Sequence, residues 1–156
     1  MENENSIAKV AYSKMAHLCS RSEKCTPEIK KKIIALGLEN EAAEEVIELL
    51  IKENFLNDER YVKAYINDKF RINKWGKIKM RYYLKIKGIT ENIIEIGLDE
   101  IDKEKYKNVL IKTMKDKAKT VKKKNKFEKM GQVIRFAQNR GFEPEMIHRY
   151  LNLALK

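Results

Sequence analysis

At 156 residues, with 43% apolar and 37% charged side chains but only six Gly and two Pro, the chain can form a core, and long half-exposed helices suit it better than a sandwich of short strands. No apolar run approaches the ~20 residues of a membrane span, and MENENSIAKV lacks the basic start and apolar core of a secretory leader, so a cytoplasmic protein free of the membrane is expected. The net charge of +11 is uneven: residues 1–56 carry 8 basic and 10 acidic side chains, residues 57–102 carry 10 and 8, and residues 103–156 carry 16 and 5. The excess positive charge therefore belongs to the last third, where it suits an acidic partner or phosphates.

The first predicted helix runs from about Ser6 to Ser20, with Ile7, Ala11, Met15 and Leu18 along one face. Cys25-Thr26-Pro27-Glu28 opens a second, with Thr26 expected as the cap, Pro27 in the first turn and Glu28 complementing the dipole. Ile29, Ile33 and Leu36 face inward and Gly37 stops it. A third, from near Asn40 to near Asn54, buries Ala43, Val46, Ile47 and Leu50. The pattern then restarts. Asn57 caps a helix that turns Val62, Tyr65, Ile66 and Phe70 inward, and a basic corner, Arg71 to Lys77, follows. Lys77 to Lys87 forms the next helix, stopped by Gly88, and Thr90 caps another with Ile93, Ile94, Leu98 and Ile101 as its apolar side. In the third round, Lys103 to about Lys122 places Tyr106, Val109, Leu110, Met114, Ala118 and Val121 at spacings of three and four. Phe127 to Asn139 follows, stopped by Gly141, and Glu143-Pro144-Glu145 starts a last helix burying Met146, Ile147, Tyr150, Leu151 and Ala154.

Gly37, Gly88 and Gly141 fall 51 and 53 residues apart, each after a second helix and before a bulky apolar residue. A glycine there ends the helix in the left-handed conformation without steric cost. The punctuation predicts an all-α fold, an elongated array of three tandem three-helix repeats at residues 1–56, 57–102 and 103–156.

Two groups of cations are candidate contacts. From Lys69 to Thr90 there are eight basic residues and no acidic one. Lys77, Arg81 and Lys85, spaced by four, form a stripe that with Lys69, Arg71 and Lys74 would meet acidic groups or phosphates; the alternative is a solvated basic face. Lys115, Lys119, Lys122, Lys123, Lys124 and Lys126 in the last third predict weak, sequence-independent DNA binding that falls with salt. Trp75 beside Gly76 is expected to seal the core of its repeat, with anchoring a partner or stacking on a base as the alternative. Asp58 and Arg60 are read as fold markers. His17, Cys19 and Cys25 lack a fourth ligand and a familiar metal spacing, so the cysteines are read as packing residues, and no metal or other cofactor is expected. Without a Gly-rich phosphate loop or a Ser-centred nucleophile motif, a non-catalytic, monomeric binding protein is expected.

The middle repeat resembles the signature of the RecX family, regulators of the bacterial recombinase RecA. The likeness is carried by Leu56-Asn57-Asp58-Glu59-Arg60-Tyr61, Lys74-Trp75-Gly76-Lys77 and Lys87-Gly88-Ile89. Leu18-Cys19-Ser20-Arg21-Ser22-Glu23 is similar to the family's N-terminal unit, and Arg140-Gly141-Phe142 fits the last repeat more weakly. Asn57 stands where the family usually has Asp, and Asn caps a helix equally well. The resemblance implies a protein that lies in the groove of the RecA filament on DNA and suppresses strand exchange, ATP hydrolysis and coprotease activity.

Overall fold

The computed structural model describes residues 2–122 and 125–156, with side chains described from residue 5 onward. Among the described residues all regular structure is helical: α1 Glu2–Arg21, α2 Thr26–Ala35, α3 Asn40–Lys52, α4 Asp58–Arg71, α5 Lys77–Ile86, α6 Glu91–Asp99, α7 Lys103–Thr120, α8 Lys126–Asn139 and α9 Pro144–Leu155. They come in three sets of three, and none is long and apolar enough to cross a membrane. Gly37, Gly88 and Gly141 have φ of 108°, 88° and 94°, so each second helix is followed by a left-handed glycine.

The chain divides into two compact units, Met1–Ala64 with Leu84–Ile94, and Tyr65–Tyr83 with Glu95–Lys156. The stretch 57–102 is thereby shared out, each of its three helices changing unit partway along.

In the first unit α1 packs on α2 and α3. Ala11, Met15, Ile29, Ile33, Leu38, Val46, Ile47 and Leu50 form one buried cluster, which Leu56 joins. Cys19 and Cys25 are buried free thiols, and burial pushes both above the ordinary thiol pKa, so they are poor nucleophiles and behave as packing residues. Thr26 is not the cap of α2. That position is Cys25, without a side-chain cap, and the free Thr26 amide donates instead to Asp58 Oδ1 at 2.7 Å.

In the second unit α7 packs on α8 and α9. Leu110, Met114, Val133, Ala137, Ile147 and Leu151 are buried, and Met146 and Tyr150 only half so. Tyr106 is the hub: its ring stacks on Phe70 (5.7 Å, 23°) and tilts against Phe142 (5.3 Å). Its hydroxyl accepts from the Lys77 amide at 2.9 Å and donates to Glu143, tying the starts of α5 and α9 to α7.

Each unit contains a joint of the same kind, in which the first turn of one second helix meets the glycine ending the next one. In the first unit, Gly88 lies against the Pro27 ring, where an added Cβ would stand 3.2 Å from Pro27 Cβ and Cγ. In the second, the Gly76 amide donates to the Arg140 carbonyl (2.7 Å) and the Ile78 amide to the Gly141 carbonyl (3.0 Å). The C-terminal carbonyls of α8 thus satisfy amides at the start of α5 that have no intrahelical acceptor. The backbones approach so closely that a Cβ at Gly76 would overlap the Gly141 backbone.

Candidate functional site

The basic corner is built at the end of α4. Trp75 returns its amide to the Lys69 carbonyl at 3.0 Å, and Lys74 takes the left-handed conformation (φ 58°), its ammonium on the Arg71 carbonyl. The turn is held from the side by Arg140, whose guanidinium donates to the Asn73 carbonyl at 2.8 Å and lies 4.7 Å from the Phe136 ring centroid.

Trp75 does not seal the core as expected. It is half-buried, its ring 5.3 Å from Tyr83, with Lys69 Nζ 4.9 Å and Lys79 Nζ 4.6 Å from its centroid. Two ammonium groups held on one indole are a cation–π cluster. Around it the surface is exposed and apolar as well as cationic: Ile72 is 74% exposed, Tyr82 is 59% exposed, and Arg71 and Lys74 face solvent. Large apolar side chains here interleave with cations, and no carboxylate falls between 69 and 90 in the sequence.

The stripe on α5 divides by what its members touch. Lys77 is half-buried, its ammonium 5.1 Å from the Tyr106 ring centroid. Arg81 is engaged with Glu95 through Nε–Oε1 at 2.5 Å and Nη2–Oε2 at 3.2 Å. The hydrogen bond to Glu95 is the main cause that raises the guanidinium pKa, outweighing burial. Lys85, in the first unit, is exposed and pairs with Glu91 at 3.4 Å. The acid-free run in the sequence is therefore answered by carboxylates just beyond it, at 91 and 95. Arg71 and Lys74 are the exposed cations of the corner, with Lys69 half-buried beside them on Tyr65 and Trp75.

Lys79, Arg140, Ile72, Tyr82 and Tyr83 belong to the same surface and were not read from the sequence. The outward tyrosines had a signal: Met80 and Leu84, four apart, are fully buried, which turns Tyr82 away from the core. Arg140 had none, since it lies 67 residues from Asn73.

In the last third, Lys115, Lys119, Lys122 and Lys126 are all exposed, while Lys123 and Lys124 lie outside the described residues. Lys112 pairs with Asp116 and Lys117 lies on the Phe136 ring, so the cations of α7 are not equally free.

The family model described as RecX, second three-helix domain, matches residues 57–98. The regulatory protein RecX of Clostridium tetani (strain Massachusetts / E88) is 31% identical over 140 residues, covering 86% of this chain and 62% of that protein. That of Clostridium perfringens (strain 13 / Type A) is 31% identical over 125 residues, covering 79% and 58%. The chain thus spans about three fifths of the length of these relatives. The crystal structure of RecX from Lactobacillus salivarius superposes with a TM-score of 0.89 at 18% identity, covering 96% of this chain and 97% of that one. A second crystal structure, of regulatory protein RecX, gives 0.85 at 19%, covering 96% and 74%. Sequence relatives and fold agree, and the family match falls on the repeat that carries the basic corner: the chain is similar to RecX proteins over most of its length.

Proposed function

We propose that this chain is a non-catalytic, cytoplasmic regulator that binds the RecA–DNA filament and restrains strand exchange, ATP hydrolysis and coprotease activity. Similarity to RecX proteins supports the partner, and one observation supports the site: the exposed corner of Arg71, Ile72 and Lys74 around the Lys69–Trp75–Lys79 cluster. Such a surface offers cations to acidic groups and apolar contact to the protein beneath them. The repeats at 1–56, 57–102 and 103–156 would each add a weak contact, and attachment at several points raises affinity well above that of any one.

The test is a titration of DNA-dependent ATP hydrolysis by RecA. Arg71→Glu with Lys74→Glu reverses two exposed cations and leaves the Arg81–Glu95 and Lys77–Tyr106 contacts in place. Inhibition is expected to be lost while the helical content is kept. Full inhibition by this variant overturns the assignment of the corner.

A second reading, direct sequence-independent binding of DNA, is favoured by the exposed Lys115, Lys119, Lys122 and Lys126. Neutralising four phosphate contacts lowers the slope of log affinity against log salt by about 3 to 4. Replacing these four lysines by Gln should produce that change on a DNA oligonucleotide. If ATPase inhibition disappears with it while the Arg71–Lys74 variant still inhibits, DNA is the primary partner.

A further inference from the structure

The joint that the chain builds twice has two unfilled halves. In each joint the second residue of a second helix meets the glycine that ends another. Pro27, second in α2, packs its ring on Gly88, whereas Ile78, second in α5, meets Gly141 through its backbone amide, with its side chain 43% exposed and Lys79 against the glycine α-carbon. The third such residue, Phe127, second in α8, is 82% exposed, the most exposed of the large apolar side chains described. The third such glycine, Gly37, has the same left-handed backbone, is exposed and has nothing within 4 Å of an added Cβ. One residue lacks a glycine and one glycine lacks a residue.

We propose that a second copy of this chain supplies both, Phe127 of one copy packing on Gly37 of the next to make a head-to-tail contact that repeats the pattern of the two internal joints. The open space at Gly37 has room for a ring larger than the proline that fills the equivalent joint. Charge favours the same pairing. Following Gly37 in sequence are the exposed Glu39, Glu41 and Glu45, and around Phe127 in sequence are the exposed Lys122 and Lys126 and the half-buried Lys129, with the exposed Glu128 offsetting one of these cations. Lys31 and Lys32 on α2 offset part of the acidic charge, so the apolar contact sets the register and the charges add affinity. A heterologous contact of this type leaves the same two ends free on the outer copies, so copies add in series unless rotation closes a ring. Exposed Ile34, three residues before Gly37, extends the apolar area available to the incoming copy.

Sedimentation velocity over a concentration series at low salt tests this. The weight-average mass should rise past that of a dimer, at least roughly threefold over the monomer if copies add in series. Phe127→Ala removes an exposed ring, so it should keep the helicity and melting temperature while sedimenting as a monomer. A chain that keeps Phe127 and carries both Glu39→Cys and Lys126→Cys should give a ladder on mild oxidation, since Cys19 and Cys25 are buried. Either single variant places one new thiol opposite none and should stay without a cross-link, so a disulfide-linked dimer from a single variant overturns the head-to-tail pairing. A monomer at every concentration overturns the proposal, as does association that ends at two copies or persists unchanged in Phe127→Ala. So does a Phe127 protected only when a DNA oligonucleotide is added, which would give that residue a different occupant.

Discussion

Asp58 Oδ1 accepts the backbone amide of Thr26 at 2.7 Å, joining residues 32 apart in sequence. Asp58 opens α4, so a residue placed to favour its own helix also satisfies the open end of α2. Next to it Arg60 donates to Glu23 at 2.5 Å and to the Asn54 and Phe55 carbonyls, while Asn57 caps the Arg60 amide at 3.1 Å. The family signature at 56–61 is thus a set of ties within the first unit.

Asp58→Ala should therefore lower stability by about 1–2 kcal/mol, because it leaves a helix-start amide without its acceptor. Asp58→Asn keeps an acceptor oxygen and should recover most of this. Urea denaturation of both variants decides it, and equal losses would show that the oxygen is not what matters.

Two glycines should respond to alanine with opposite signs. At Gly76 a Cβ would overlap the Gly141 backbone, which is not free to move, so Gly76→Ala should cost about 3 kcal/mol or more. Gly131 lies inside α8 with only the Arg135 guanidinium near its Cβ position, at 3.5 Å. Gly131→Ala should stabilise by about 0.5–1 kcal/mol through helix propensity. Thermal unfolding of the pair separates close approach from composition.

Arg81 and Glu95 are each about one-third exposed, so solvent screens their attraction. Arg81→Ala is expected to cost about 1 kcal/mol or less and to leave ATPase inhibition intact. Exchanging the two residues should restore stability. A loss of inhibition in both variants with stability restored would move Arg81 into the proposed site.

Burial pushes the Tyr61 hydroxyl up to about 12 and raises Tyr106 further, by burial first and then by its bond to Glu143. A tyrosine whose folded pKa is raised stays neutral in the folded chain while the unfolded chain ionises. Its contribution is complete below pH ~10 and is lost as pH rises from there toward 12. For Tyr61 the loss is about 2–3 kcal/mol. Stability measured against pH should fall in that window, and Tyr61→Phe should flatten the fall. Spectrophotometric titration should show some tyrosines ionising late, together with unfolding.

Much of this protein was legible locally. The helices follow from apolar spacing and their stops from glycines, because a helix is decided by neighbours three and four residues apart and by the chemistry of its ends. The basic corner was legible too, as a run of like charge. Which of its side chains stay exposed was not. Glu95 removes Arg81 from the exposed set, Tyr106 holds Lys77, and Arg140 props the turn from 67 residues away. The same distance effect gave the free Thr26 amide its acceptor at Asp58 and left Trp75 half-buried between two lysines. By itself the sequence determined which segments are helical, where they end and which carry charge, since those depend on short-range backbone and side-chain geometry. Only the tertiary structure decided which cations stay free and which glycines are filled, since a partner's identity depends on packing that brings distant residues within hydrogen-bonding range.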